Sequence, residues 1–409
     1  MLLTAILTLS LLAVLNYYVN DRSLFHPAVV FCGIWAFDLF VILAVGGFFF
    51  PLSPQPLLIF SFGALAFSIG AHFAKAVPAE PKKPAEAKGT TKLLWLIVLA
   101  FPFFIRWILQ LAGENADSPL LMALRVATVD LEGGSIALTI FGMLTQIAAI
   151  VVLIAYSEKE GHKLRAWIAI VFSLAMAVLT GTKGAPLEII MGLMYIHWLK
   201  TRKIRWKMVA TVCVVFALVF TVIEYTVHQA DNTEQIAENA ALYISGGIVA
   251  VDRVISNPHL VPLANPVYDI TMRVLKRLGW HTEVVSAHGY QFVDIGPNGL
   301  MNNTYTVYGS WINTGPFGMI SAMLLIGFIA GLAYHRALRH GKVSAIFYAV
   351  YFPAIFFSPF SDLTTTFIWL SLVMLVAWFV YYFPLRLARF KDLLSDIVRA
   401  DLAKPQLHR

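Results

Sequence analysis

The chain has 409 residues, of which 59% are hydrophobic and only 13% charged, and its formal net charge is +7. Soluble domains are nearer half apolar and a quarter charged, so composition excludes an ordinary soluble enzyme and points to a polytopic membrane protein. The two cysteines, Cys32 and Cys213, both lie in apolar runs and support neither a disulfide framework nor a metal cluster, and nothing calls for a nucleic-acid partner.

The first 20 residues lack a basic n-region and a small-residue cleavage site, so they read as a first span and not as a cleaved signal peptide. Hydropathy predicts about 11 spans, at 2–19, 27–50, 56–76, 93–112, 135–156, 166–180, 186–199, 207–228, 312–334, 343–358 and 364–385. Two runs in the middle, Ala166–Leu179 and Leu187–Leu199, look too short to cross alone. About 14 residues at ~1.5 Å each give about 21 Å, against ~30 Å of hydrocarbon. Between them lies Thr180-Gly-Thr-Lys-Gly-Ala-Pro186, a turn that would carry Lys183 below the membrane surface. Its glycines bare the backbone and Pro186 suits a first helical turn, so an anion site is one reading. An ordinary hairpin with a snorkelling lysine is the other.

The connections alternate in character. Five basic residues flank or fill the 77–92 link, three fall in or beside 157–165, five in 200–207, three in 335–342 and six in the tail after Leu385. With Arg22 these fall on one side if the spans alternate, and the positive-inside rule makes that side cytoplasmic. The N-terminus is then outside and the C-terminus inside. The exceptions are Arg106, Arg125, Lys183, Arg253, Arg273, Lys276 and Arg277, which are expected in the outer half of the membrane or beyond it and suggest negative partners.

The expected organisation is one membrane domain: helices one to eight over 1–228, an outer loop over 229–311, helices nine to eleven over 312–385 and a cytoplasmic tail over 386–409 with an amphipathic pattern. A smaller outer loop, 113–134, is acidic. Within the large loop, Thr233–Ile255 reads as a helix with Asp231, Asn232 or Thr233 as N-cap, stopped at Asn257-Pro258. Pro266–Leu278 reads as a second helix closed by Gly279, with Asp269, Arg273 and Arg277 on one face. The stretch 280–304 reads as irregular.

The chain has no Walker A loop, G-x-G-x-x-G, H-E-x-x-H or G-x-S-x-G, and no D-x-D pair of the sugar-nucleotide transferase kind. What remains is an outer-face set of cations, histidines and carboxylates. Arg253, Arg273, Lys276 and Arg277 suit phosphate, or else pair with Asp252, Asp269 and Glu283 as loop salt bridges. His281, Glu283, His288 and Asp294 precede Asn303 and include candidates for a general base, with loop polar residues as the plain alternative. Asp38, Glu224, His228 and Asp362, in or at the ends of spans, read as helix-to-helix hydrogen-bonding groups.

Three stretches, in this order, resemble the bacterial oligosaccharide repeat-unit polymerases, the Wzy-type O-antigen polymerases. Thr180-Gly-Thr-Lys-Gly184 looks like that family's Ser/Thr-Gly-Ser/Thr-Arg/Lys-Gly turn. Tyr243-Ile-Ser-Gly-Gly-Ile-Val-Ala-Val-Asp252 is similar to its outer-loop helix. Asn303-Thr-Tyr-Thr-Val-Tyr-Gly-Ser-Trp-Ile-Asn-Thr-Gly-Pro-Phe-Gly318 looks like its N-x-Y-T…Y-x-D-F-G-x-x-G stretch. Lys183 stands where arginine is common, and Asn313-Thr314 where Asp-Phe is common.

The resemblance implies an all-α, GT-C-like membrane fold with about 11 helices and a large, partly helical periplasmic loop. It implies a multi-pass enzyme of the bacterial inner membrane, working on the periplasmic face without metal, nucleotide or other cofactor. The growing glycan would pass from undecaprenyl pyrophosphate to the non-reducing end of a new lipid-linked unit. Lys183, Arg253, Arg273 and Arg277 would bind pyrophosphate. His281, Glu283 or His288 would supply the base, and Tyr243, Asn303 and Tyr305 would contact sugar. The implied partners are the lipid-linked oligosaccharides, the bilayer, a chain-length regulator and a flippase. An O-antigen ligase-like transferase and a polysaccharide transporter or flippase are the alternatives.

Overall fold

The structure is a computed structural model that describes residues 1–78, 90–113, 136–158, 163–179, 184–204, 206–226, 233–260, 292–339, 341–360 and the single residue Ser395. The described residues are mostly helical. The helices are α1 (Leu2–Val19), α2 (Pro27–Ala44), α3 (Pro54–Phe73), α4 (Thr90–Gly113), α5 (Ile136–Glu158), α6 (Lys163–Leu179), α7 (Gly184–Thr201), α8 (Trp206–Thr226), α9 (Thr233–Ser256), α10 (Gly315–Leu338) and α11 (Lys342–Phe356). Four stretches among the described residues are long and apolar enough to cross a membrane: Leu2–Val19, Pro27–Ala44, Pro54–Ala76 and Gly309–Leu338. This is the fold of an all-α membrane protein. The eleventh predicted span, 364–385, lies outside the described residues, as do the 113–134 loop beyond Gly113 and the predicted helix Pro266–Leu278.

Two compact units divide the chain. The second holds α4, α5 and α6. There, Ile97, Ile108, Phe141 and Ala148 form one apolar cluster, and Leu94, Ala149, Val152, Ala166 and Ala169 another. Phe104 stacks on Phe141 at 3.6 Å. The Ser173 hydroxyl crosses from α6 to donate to the Thr145 carbonyl of α5 at 2.8 Å.

The first unit holds α1, α2, α3, α7, α8, α9, α10 and the end of α11 from Tyr348. Its centre is α3 against α10, and the reason is small residues. A Cβ at Gly70 would meet the Leu324 carbonyl, one at Gly327 the Phe67 carbonyl, and one at Gly331 the Ala71 carbonyl. Bare backbone on both helices lets the two axes approach closely, a device that membrane helices favour because lipid offers no hydrophobic drive for their association.

Around that pair lies an aromatic core. Phe31 stacks on Phe67 at 4.1 Å, and the Tyr308 ring meets Trp35 edge-on at 4.6 Å. The Tyr308 hydroxyl donates to the Phe60 carbonyl at 3.0 Å, in space left by Gly63. The buried Trp35 indole donates to the Ser358 hydroxyl at 3.0 Å. Ser358→Ala would leave that buried N–H without its acceptor, at a cost of about 1–3 kcal/mol. The expected outcome is a melting temperature lower by several degrees, read by thermal unfolding of the purified protein. An unchanged melting temperature would mean the indole has another acceptor.

Several expectations need correction. The span 27–50 ends at Ala44, because Gly46, at φ +42°, and Gly47 turn the chain and Phe50 donates its N–H to the Ile295 carbonyl at 2.8 Å. The two short runs are longer as helices, 17 residues in α6 and 18 in α7, because Lys163 and Arg165 at one end and Lys200 at the other are helical. At ~1.5 Å per residue they reach about 26 Å, close to the thickness of a bilayer core.

The stretch 280–304, expected to be irregular, contains an antiparallel hairpin in its described part. Strand β1 (Phe292–Gly296) pairs with β2 (Leu300–Asn303), Val293 opposite Asn302, around Pro297-Asn-Gly299 with Gly299 at φ +73°. Exposed Phe292 and Asp294 alternate with buried Val293 and Ile295, the period-2 pattern of a strand with one covered face.

Candidate functional site

Helix α9 organises one end of the first unit. Its bounds match the expected Thr233–Ile255 to within a residue, and the 3-10 turn Pro258–Leu260 follows it where Asn257-Pro258 was expected to stop it. One face of α9 carries Leu242, Gly246, Gly247, Ala250, Val251 and Val254, spaced three or four residues apart. That face packs on the segment from β2 to Gly309. The Asn302 side-chain amide donates to the Leu242 carbonyl at 3.0 Å, and a Cβ at Gly246 would collide with that amide. A Cβ at Gly247 would meet Thr306, and Gly309 lies against Val251. Val254 joins Val293 and Ile312 in an apolar cluster. The two stretches Tyr243–Asp252 and Asn303–Gly318 thus touch directly, although about fifty residues separate them.

The last turn of α9 reaches the turn after α2. Asp252 accepts the Ser53 backbone N–H at 2.7 Å and faces the Ser53 hydroxyl at 3.5 Å. Asp252 is thus bound to Ser53, and the expected salt bridge to a neighbouring arginine is not its main contact. The Arg253 guanidinium instead stacks over the Phe50 ring, 4.8 Å from its centroid, and its buried Nε has no hydrogen-bond partner among the described residues. A cation held by a ring face keeps its N–H donors for another acceptor.

Burial pushes the Asp252 carboxyl up to about 6, while the Ser53 hydrogen bonds and the Arg253 charge pull it down. An acid whose folded pKa is raised contributes its full share below the unfolded value near 4 and loses it as pH rises through the folded value. The wild type should therefore lose stability from about pH 4 to about pH 6 through this group. Asp252→Asn keeps an acceptor for the Ser53 N–H and cannot ionise. Its melting temperature is expected to vary less with pH over that range; an equal pH dependence in both proteins would remove Asp252 as the cause.

The sugar-contact candidates are partly described. Tyr243 is 41% exposed and meets Phe220 edge-on at 5.8 Å. Tyr305 is 38% exposed. The Asn303 side-chain oxygen accepts the Tyr305 N–H at 3.0 Å, so part of that side chain shapes its own turn. Asp294 is exposed on β1. Lys183, Arg273, Arg277, His281, Glu283 and His288 lie outside the described residues, as do His228 and Asp362. No group of three or more metal-ligating side chains occurs among the described residues.

Of the groups expected to join helices, Glu224 on α8 accepts the Asn239 amide of α9 at 2.8 Å. Asp38 does so only through its backbone, whose carbonyl accepts the Ser245 hydroxyl at 3.1 Å. Its carboxylate is fully buried, and neither oxygen has a hydrogen-bond partner among the described residues. Sequence reasoning missed Asn302 and Ser53. Asn302 sits one residue before a motif, and nothing in sequence ties Ser53 to a residue two hundred positions away.

No family model, curated protein or solved structure matches the chain. The functional reading therefore rests on the residues themselves.

Proposed function

We propose that the protein polymerises undecaprenyl-pyrophosphate-linked oligosaccharide repeat units on the periplasmic face of the bacterial inner membrane. The observation that carries this reading is the contact between the Tyr243–Asp252 helix and the Asn303–Gly318 segment. These are two of the three stretches on which the family resemblance rests, and a shared site requires them to be neighbours. The guanidinium of Arg253, at the same end of the unit, adds a cation for a phosphate-bearing substrate.

In the proposed reaction the bond from the donor's anomeric carbon to pyrophosphate oxygen breaks. The acceptor hydroxyl oxygen forms the new glycosidic bond to that carbon, and its proton goes to a base. Undecaprenyl pyrophosphate leaves with the bonding electron pair. Charge develops on the leaving phosphate, so cations placed there lower the barrier. Arg253 is assigned that role with Lys183, Arg273 and Arg277. The base is assigned to the segment carrying His281, Glu283 and His288, and Tyr243, Asn303 and Tyr305 to the sugar. The reading calls for no metal, nucleotide or other cofactor. The deciding experiment incubates purified protein with a defined undecaprenyl-pyrophosphate-linked repeat unit. A ladder of lengthening lipid-linked glycans is expected. Unchanged substrate would overturn the polymerase, and a single transfer to a different acceptor would move the assignment to a ligase.

A further inference from the structure

At the other end of the first unit, four chain segments converge on a pocket of about 370 Å³. Its lining includes Arg22, Lys75, Arg202 and Arg339, with Asp21 as its carboxylate. The cations come from the turn after α1, from the end of α3, from the residue after α7 and from the residue after α10. Below them the lining is built and buried. The Tyr334 hydroxyl donates to Ser23 at 2.8 Å, and Trp198 forms a wall that carries the Arg202 guanidinium 5.0 Å above its ring.

His335 also lines this pocket, is 8% exposed, and its Nε2 has no hydrogen-bond partner among the described residues. Buried polar atoms of this kind normally have a partner, so the site is short of one. Asp21, Arg22 and Arg202 are the non-glycine residues with positive φ among the described residues, at 54°, 56° and 55°. All three line the pocket, at places just beyond helix ends where glycine would suit the backbone better.

Cations at helix C-termini have an ordinary explanation, because each helix end carries about half a negative charge. Four such ends together with Asp21 offset about three of the four cationic charges, which leaves about one. That remainder, the pocket's concavity and the orphaned imidazole nitrogen all call for a single anion. We infer that the pocket binds a phosphate group, with the arginines and Lys75 on its oxygens and His335 Nε2 as a further contact. A basic pocket between membrane helices at their end suits the phosphodiester of an anionic lipid headgroup. Free phosphate has the same chemistry and is the other source. This site is separate from the one at α9 and does not depend on its function.

The test uses the full chain, purified and placed in phosphatidylcholine nanodiscs with or without phosphatidylglycerol, or in phosphatidylcholine alone with inorganic phosphate. Phosphatidylglycerol retained through delipidation is counted by native mass spectrometry, and the melting temperature is read in each condition. Retention and a raised melting temperature with phosphatidylglycerol are expected, and the Arg202→Gln/Arg339→Gln variant should lower retention about tenfold or more. Arg22→Gln, in an exposed turn, gives a second reading should the double variant not fold. Arg336→Gln removes one charge from the exposed side of α10 and should change little. A response to inorganic phosphate without one to the lipid would support the site and assign it to a soluble phosphate. No response in either arm, or an equal loss with Arg336→Gln, would overturn it, the latter pointing to diffuse surface charge.

Discussion

Gly327→Val should be recovered from membranes at a small fraction of wild-type yield, with a much lower melting temperature. The new Cβ would be forced into the Phe67 carbonyl, and valine adds two methyl groups beyond it. Backbone cannot swing aside as a side chain does, so α10 must move off α3 and take Gly331 out of its place against Ala71. Overpacking a close interface costs about 1–3 kcal/mol and more where the neighbour cannot yield. Gly33→Ala is the matched control, since no atom lies within 4 Å of the new methyl group. It should be neutral or slightly stabilising, because alanine suits a helix better than glycine. Equal losses in both variants would mean that the close α3–α10 contact is not what makes Gly327→Val destabilising.

Arg253→Ala is the second large effect, and it concerns activity. The guanidinium rests on Phe50 and is not tied up in an ion pair with Asp252. If it stabilises a leaving pyrophosphate, its removal should slow glycan lengthening by roughly a hundredfold, in line with loss of one preorganised donor at a developing charge. The melting temperature should fall little, since exposed or half-exposed cation–π pairs contribute about 0.5–1 kcal/mol. Arg253→Lys should recover part of the rate, because charge is kept and the bidentate fork is lost. A variant that melts lower but lengthens glycans at the wild-type rate would make Arg253 a packing residue.

Some of this was legible in the sequence and some was not, for physical reasons. The α9 bounds were legible because local chemistry fixes them: Pro258 cannot continue a helix. The end of α2 was misjudged because hydropathy reports how apolar Phe48, Phe49 and Phe50 are and not where the chain goes. The Gly46-Gly47 pair was the available signal. The ends of α6 and α7 were trimmed because Lys163, Arg165 and Lys200 interrupt an apolar run without interrupting a helix. The β1–β2 hairpin was missed although Val293 and Ile295 alternate with polar or exposed neighbours. Four residues of alternation beside Pro297-Asn-Gly299 are a weak signal, and the hydrogen bond from Phe50 comes from far along the chain. At the candidate site the contact of the two stretches, Gly247 with Thr306 and Val251 with Gly309, was not legible. The sequence groups the basic links only by counting spans, whereas the meeting of Arg22, Lys75, Arg202 and Arg339 around one pocket is a property of the packed helices alone.

The bond from Trp35 to Ser358 and that from the Tyr348 hydroxyl to the Phe25 carbonyl each join residues 323 positions apart. At roughly 5–20 residues per second, synthesis of the intervening chain takes about 16–65 s. For most of that interval α2 and α3 are already made while the helix that packs on the glycines of α3, Gly315–Leu338, does not yet exist. The N-terminal helices must therefore wait in the bilayer with lipid or a helper protein against Gly70, and the last quarter of the chain completes a core begun by the first.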